Sequence, residues 1–585
     1  MYRFADLTHE QKLQRRELLD WYGFVAQLSV LVPLAATQVY IILSLLRRKW
    51  SQRDSTQVPS SPYAKAQQLE QQFNVSGLAA TWRKFSWWCG DAVSISGVYL
   101  GTRGEVIGAG IWTLWLLLLS FLDTGDDYLH LTKRFGIVGA SQLPFHYLLS
   151  LKSPYSPLQL LTRRSHESLI SIHQLLGRIV TFFFYTHVVL YINFYIQSNL
   201  LLSKITQAYI ICGILGTISF TAIGTTALKP VRDWSYRVFY IAHVALATAV
   251  LPLLYFHVHH IRVYIYETLL VYAITVVLRI FTTKTYTGTV KTIEGDSLVE
   301  ISIPIRGDGK RGGPAAWQPG QHAYLSLAGH PLLRTFRSNP FTVASLPLVD
   351  GQLRFVAKIL DGNTARMART HNPSQRLSIE GPYGLATHAE TLLHYDRVLF
   401  VAGGVGATFI VPLYRQLLDD LSPSTGSQRR QRVNFLWVAR STVEVSWAIP
   451  SDPKAKEGFA ERLRVYLTKD TNGVSSDAAA DITIGEDEQE AGHPGEGIHG
   501  IELEEQKKLL SAENPEDKGE FGLSTHAGRP DLARAVEQTF IHSSTERVAI
   551  LVCGPRSLSQ ELRQEVGRWV RRGRDVLFWE EHFNL

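Results

Sequence analysis

"IHQLLGRIVTFFFYTH", residues 172–187, sets a histidine near each end of an apolar stretch. Fourteen residues advance an α-helix by about 21 Å and return it to nearly the same face. His173 and His187 therefore stand one above the other at two depths. "FYIAHVALATAVLPLLYFH" (239–257) repeats the interval with His243 and His257. One further apolar run lies between the two segments, so the histidine helices are parallel, with an inner pair His173/His243 and an outer pair His187/His257. Facing imidazoles at two levels suit two bis-histidine b-type haems, whereas zinc normally takes four ligands at one level. Ionisable groups at membrane depth are expensive and usually functional; for any single histidine the alternative is a ring satisfied by a backbone carbonyl. Arg178, between the levels, is a candidate partner for a haem propionate, or pairs with a loop acid. His146 has no such match and reads as a packing residue; His259 and His260 read as solvated loop residues, the alternatives being a substitute axial ligand or a contact to an extracellular metal.

Around this stretch the chain divides into unlike halves. Its 585 residues are 45% hydrophobic, with a mean hydropathy near zero, and nearly all long apolar runs fall within 23–282. Spans need roughly 20 mostly apolar residues, and seven candidates emerge: 23–46, 105–123, 135–151, 168–197, 206–228, 236–257 and 263–282. The third is interrupted by Pro144. The stretch "FSWWCGDAVSISGVYLG" before the second is interfacial or part of a longer span. With the soluble half in the cytosol, seven spans put the N-terminus outside. Fourteen Lys and Arg then fall in inner loops against four (Lys133, Arg134, Lys204, Arg262) in outer loops, as the positive-inside rule requires; the four basic residues of the N-terminal tail oppose it. The Asn74 sequon would face the cytosol. The net charge of +7 thus reflects topology and gives no sign of nucleic-acid binding. Cys89, Cys212 and Cys553 suggest neither a disulfide framework nor a thiolate metal site. The first twenty residues lack the apolar stretch of a cleavable signal.

After the last span, "YTGTVKTIEGDSLVEISIPI" (286–305) alternates like strands of an antiparallel barrel. "GPYG" (381–384) lets backbone bend closely past a phosphate, or is simply a turn. In "DRVLFVAGGVGATFIVPLYRQLL" (396–418) a buried strand, a glycine turn and an amphipathic helix form a phosphate site at the helix N-terminus. Residues 470–520 hold fifteen acids against Lys507, Lys508 and Lys518, too polar to order by burial. That insertion is a docking place for a regulatory partner or a solvated loop.

From residue 105 onward the chain resembles the ferric reductase transmembrane family, which includes fungal ferric and cupric reductases and NADPH oxidases. Equal fourteen-residue intervals are similar to its metalloreductase branch. The resemblance implies a transmembrane helical bundle followed by a ferredoxin-reductase-like module, an antiparallel FAD-binding β-barrel plus an α/β NADPH-binding domain. Its boundaries are 1–104 (tail, first span and loop), 105–283 (haem-binding bundle), 284–390 (FAD barrel) and 391–585 (NADPH domain). "WQPGQHAYLSL" (317–327) resembles a family strand and turn, and Pro340, Phe341 and Thr342 the flavin motif, with Asn339 in place of its histidine. Arg334 and Arg337 are candidates for FAD phosphates. Gly381 and Gly384 border a phosphate. Gly403, Gly404, Gly406 and Thr408 resemble the NADPH loop, Arg440 and Arg529 the 2'-phosphate positions, and Cys553, Gly554 and Pro555 the Cys-Gly-Pro beside the nicotinamide. "FWEEHFNL" (578–585) resembles the acidic-aromatic terminus, with Phe583 stacking on the flavin. The implied activity moves electrons from cytosolic NADPH through FAD and two haems to extracellular ferric or cupric chelates, at the plasma membrane. The alternatives are a superoxide-generating oxidase and a haem or metal transporter or sensor.

Overall fold

A computed structural model of the chain describes residues 2–5, 7–55, 77, 79–95, 98–153, 155–293, 298–305, 316–327, 338–360, 362–369, 374–384, 391–421, 432–450, 452–468, 522–541 and 546–581. Asn74, Arg334, Arg337, the acidic insertion and Phe583 lie outside these residues.

Among the described residues six helical runs are long and apolar enough to cross a membrane. They comprise α1 (His9–Leu28) continuing into α2 (Leu31–Ser55), α3 (Arg103–Phe121), α6 (His166–Gln197), α7 (Ala208–Thr226), α8 (Tyr236–His257) and α9 (Arg262–Thr282). The seventh candidate, 135–151, is not one helix. It falls within α4 (Tyr128–Ser141) and α5 (Leu143–Leu149), joined at Gln142. Pro144 in the first turn of α5 explains the break, because proline is tolerated there but not in a helix interior. Lys133 and Arg134, counted above as outer-loop charges, lie inside α4, where Arg134 is fully buried and donates to the Leu119 carbonyl. One of the four basic residues of the tail is balanced locally. Arg15 lies 3.9 Å from the Asp127 carboxylate and donates to the Asp123 carbonyl at 2.9 Å.

Both histidine helices start at the same depth. Ser165 caps α6 and Ser235 caps α8, each side chain accepting a hydrogen bond from a first-turn amide. Each serine stands eight residues before an inner histidine, so the caps hold His173 and His243 level.

A short antiparallel hairpin, β1 (Ala92–Ile95) and β2 (Val98–Thr102), precedes α3. Helix α9 ends at Thr282 and the chain turns directly into β3 (Thr283–Ile293). With β4 (Leu298–Pro304), β5 (His322–Leu327), β6 (Asn339–Thr342), β7 (Gln352–Lys358) and β8 (Gln375–Tyr383) it forms an antiparallel sheet in the order β6-β5-β8-β3-β4-β7. A bridge between Val343 and Phe355 brings the two edges together into a nearly closed barrel. Alternate residues such as Val299, Ile301 and Ile303 fill its core, as the period of two dictates.

The last domain is a parallel sheet in the order β12-β11-β10-β9-β13-β14: β9 (Arg397–Gly403), β10 (Arg432–Ala439), β11 (Leu463–Leu467), β12 (Ser524–Ala527), β13 (Val548–Cys553) and β14 (Val576–Glu581). The strand order reverses between β9 and β13, the switch point at which doubly wound sheets bind ligands. Helices α10 (Ala407–Asp420), α11 (Leu532–Phe540) and α12 (Arg556–Arg571) cover it. Barrel and sheet share a core, in which Leu298, Ala344 and Val356 pack with Phe400 and Phe409.

An ion pair also joins them, Arg415 on α10 to Asp350 beside β7 at 2.7 Å, both largely buried. Burial alone would raise the Asp350 carboxyl, but Arg415 and the Leu346 amide hold it below its ordinary value. A carboxylate depressed on folding contributes stability above its unfolded pKa and loses it as pH falls through the folded value. Asp350→Ala, which strands a buried guanidinium, is expected to cost about 3 kcal/mol at neutral pH. Thermal unfolding across pH checks this: the variant and parent should converge as pH falls below the usual carboxylate range.

Candidate functional site

The four histidines pair as their spacing requires. The rings of His173 and His243 lie 6.3 Å apart, centroid to centroid, and those of His187 and His257 6.5 Å. Two metal–imidazole bonds of about 2 Å each, plus the reach from each ring nitrogen to its centroid, total roughly 6 Å, so either gap is wide enough for one metal ion between the two rings. Three rings are oriented by main chain through Nδ1: His173 on the His146 carbonyl at 3.0 Å, His187 on the Thr132 carbonyl at 2.8 Å, His257 on the Tyr209 carbonyl at 2.7 Å. An Nδ1–H donated to a carbonyl leaves the Nε2 lone pair for a metal. The Nδ1 of His243 is buried without a partner among the described residues. Glycines make room for the rings. A Cβ at Gly136 would come within 2.8 Å of the His187 ring, and one at Gly213 within 2.6 Å of the His257 ring. Each level offers two imidazoles, and among the described residues no group of three or more His, Cys, Asp or Glu could hold a bare metal ion.

His146 belongs to the inner level, which its sequence context did not reveal. Its ring stacks on His173 at 4.0 Å and its Nε2 meets the His173 carbonyl at 3.1 Å, reciprocating the bond in the other direction. Gly177 leaves it space, since a Cβ there would lie 3.0 Å from Nε2. Arg178 is exposed and, at about 100° per residue, lies about 180° around α6 from His187.

The barrel meets the bundle at the inner end of α6. His322 of β5 lies 3.2 Å from Glu167 in the first turn of α6. Arg279, near the end of α9, pairs with Glu380 of β8 at 3.2 Å, and Glu380 accepts from the Tyr383 hydroxyl at 2.6 Å. The Lys152 ammonium sits 2.8 Å from the centroid of Tyr324; burial pushes it down to about 7 against the opposing pull of Glu380. Burial would raise Glu380, but Lys152 and Arg279 hold it below its ordinary value. These partners are far apart in sequence and carried no local signal.

Both expected flavin segments border β5. Thr342 and Pro340 of β6 pair with His322 and Tyr324 on one side, and Tyr383 of β8 pairs with His322 on the other. Phe341 and Thr342 are buried. Gly384 takes φ +91°, open to glycine at little cost, and a Cβ there would press on the Gly320 carbonyl at 3.2 Å. Gly381 faces Trp317 and Ala323 equally closely.

At the switch point two loops 150 residues apart in sequence touch backbone to backbone. A Cβ at Gly406 would overlap the Cys553 carbonyl oxygen, one at Gly554 would lie 3.0 Å from Gly403 Cα, and one at Gly403 would lie 2.7 Å from Pro555. Gly404 has φ +54°. Thr408 is buried, its hydroxyl donating to the Val405 carbonyl at 2.8 Å. Cys553 is fully buried, and burial, with Glu581 nearby, pushes its thiol well up. Arg440 follows β10 and Arg529 follows β12, both exposed beyond the same ends of two parallel strands that flank β11. Sequence reading missed Glu444. This buried carboxylate accepts from the Arg440 amide at 2.6 Å and stands 3.5 Å from where a Gly404 Cβ would be.

Three family descriptions match in this order: "Ferric reductase like transmembrane component" over residues 135–254, "FAD-binding domain" over 287–387 and "Ferric reductase NAD binding domain" over 395–567. The chain belongs to the ferric reductase family. Among its curated relatives is ferric reductase transmembrane component 3 of Saccharomyces cerevisiae, 22% identical over 515 residues, covering 83% of this chain and 67% of the relative. Ferric/cupric reductase transmembrane component 2 of the same yeast is 22% identical over 514 residues, with the same coverages. The "Probable metalloreductase AIM14" of Zygosaccharomyces rouxii is 24% identical over 463 residues, covering 74% and 79%. This ferric reductase-family chain is therefore an oxidoreductase whose FAD- and NADPH-binding modules serve a membrane domain.

The glycine contact at the switch point gives a sharp expectation. Gly406→Ala must separate the two loops, and displacements near 1 Å at a reacting centre cost roughly a hundredfold in rate. Flavin bleaching by NADPH, followed in a stopped-flow instrument without oxygen, should slow by that order, with bound flavin retained.

Proposed function

We propose that the protein is an NADPH-dependent transmembrane reductase of extracellular ferric or cupric chelates, serving iron or copper uptake at the plasma membrane. The observation that carries this reading is the pairing of four imidazoles at two levels, each gap wide enough for one iron, on parallel helices. In this reading His173 and His243 hold the inner b-type haem and His187 and His257 the outer one. Pro340, Phe341 and Thr342, with the Gly381–Gly384 turn, hold FAD; the loop of Gly403, Gly404, Gly406 and Thr408 holds the NADPH phosphates. Arg440 and Arg529 receive the 2'-phosphate, a role a guanidinium fork suits. Gly554 lets the Cys553–Pro555 turn approach the nicotinamide closely.

When bound, FAD and the haems supply hydride acceptance and single-electron relay. The residues supply position. Main-chain carbonyls set the tautomer of three histidines, and the Glu167–His322 and Arg279–Glu380 pairs hold the flavin edge of the barrel to the inner ends of α6 and α9. No side chain is asked to move a proton. Ferric or cupric chelates are the substrates at the outer face; the two yeast relatives are a ferric reductase and a ferric/cupric reductase by name.

A reduced-minus-oxidised absorption spectrum after NADPH addition without oxygen tests the assignment. The expected result is two haems per chain, both reduced. His173→Ala or His243→Ala should remove one haem and leave the other unreduced by NADPH; His187→Ala or His257→Ala should remove one and leave the other reducible. Each change should lower chelate reduction by roughly a hundredfold or more. Two intact haem signals in both inner variants would overturn the ligand assignment. Superoxide formed in preference to reduced chelate would favour the oxidase alternative.

A further inference from the structure

We propose that residues 79–89 form an interfacial helix that inserts its aromatic face into the inner boundary of the bilayer and so fastens the dinucleotide-binding domain to the membrane surface. The segment is helical, and its two faces differ in what they meet. Trp82, Phe85 and Trp88 recur every three residues, are 52%, 51% and 45% exposed, and follow one another with ring centroids 5.8 and 6.2 Å apart. They make one continuous apolar stripe with the exposed Lys84 alongside. Three large exposed aromatics on one short helix are unusual for a surface in water.

The opposite face is committed to the soluble domain. Arg563 of α12 donates to the Trp87 carbonyl at 2.9 Å, lies over the Trp87 ring at 4.3 Å and reaches Asp91 at 3.3 Å. Trp87 meets Phe578 of β14 edge-on at 5.5 Å. Gly567 on α12 accommodates the indole, because a Cβ there would come within 3.0 Å of its nitrogen. Arg83 donates to the Gly573 carbonyl at 2.9 Å.

What covers the aromatic stripe follows from its ends. Trp82 packs against Tyr40, itself 56% exposed on a crossing helix. Trp88 is overlain by Arg103, the first residue of the crossing helix α3, at 5.1 Å. A stripe anchored at both ends to crossing helices lies at the depth where they leave the lipid. Tryptophan is enriched there, since its ring is mostly apolar with one polar edge, and Lys84 can snorkel to headgroups. Lipid is therefore the occupant, and the helix joins the membrane on one face to α12 on the other.

The test uses the full chain reconstituted in vesicles of phosphatidylcholine and phosphatidylserine, with a benzoyl-phenylalanine photocrosslinker at Phe85 or, as a control, at the exposed Ile541 of the soluble domain. Irradiation should give a phospholipid adduct at 85 in about tenfold excess over 541. Equal yields at both positions, or a chain-to-chain adduct at 85, would overturn the proposal. A second readout is amide exchange in vesicles, where Phe85→Glu should speed exchange across 79–89 by about tenfold while α6 is unchanged; unaltered exchange would overturn it too. Neither readout depends on haem, flavin or activity, so its failure is separable from that of the proposed reaction.

Discussion

A ring nitrogen buried at membrane depth without a hydrogen-bond partner costs about 1–3 kcal/mol, and three of the four paired histidines escape that cost. In this protein that demand organises the bundle. The partners of His173, His187 and His257 are main-chain carbonyls on other helices, so α4 and α5 must lie against α6, and α7 against α8. Close approach then requires glycine wherever a ring meets a neighbouring backbone, at Gly136, Gly177 and Gly213. Ring orientation, helix packing and glycine placement are one problem solved together.

The same inner level receives the soluble module. Glu167, Lys152 and Arg279 come from the membrane half, and His322, Glu380 and Tyr324 from the barrel. Glu167 keeps contact with solvent, whereas the Arg279–Glu380 pair is largely withdrawn from it, and charges so placed persist only in mutual company. The barrel is consequently bound to the bundle at a few specific points, all beside β5, the strand that both flavin segments border. Register between the redox modules is thus set by paired charges, where a flexible tether would leave it variable.

Much of this was legible in the chain. The fourteen-residue interval at His173/His187 and His243/His257 announced both pairs, because helical periodicity turns spacing into geometry. The glycine turn after β9 was readable from its residues, since only small residues allow such backbone approach; the Cys-Gly-Pro after β13 came from the family resemblance, which did not show that the two loops touch. Other features were not. The carbonyls of Thr132, His146 and Tyr209 carry no signature, because every residue has one. His146 looked like packing since its partner is the backbone of another helix. The run at 135–151 had the composition of a span, and Pro144 marked the break without revealing that both pieces flank α6. Glu167 and His322 are 155 positions apart in sequence, beyond the reach of any local pattern.

The broken element α4–α5 serves both levels at once, with the Thr132 carbonyl at the outer pair and the His146 carbonyl at the inner one. Because these acceptors are main-chain atoms, no substitution that preserves the backbone can delete them, provided Gly136 stays small beside the His187 ring. Length is constrained as well. One residue gained or lost between Thr132 and His146 would rotate one acceptor by about 100° and shift it by about 1.5 Å relative to the other, so that only one histidine could keep its partner. The count of residues between the two acceptors thus constrains this segment alongside the glycine that admits the outer ring.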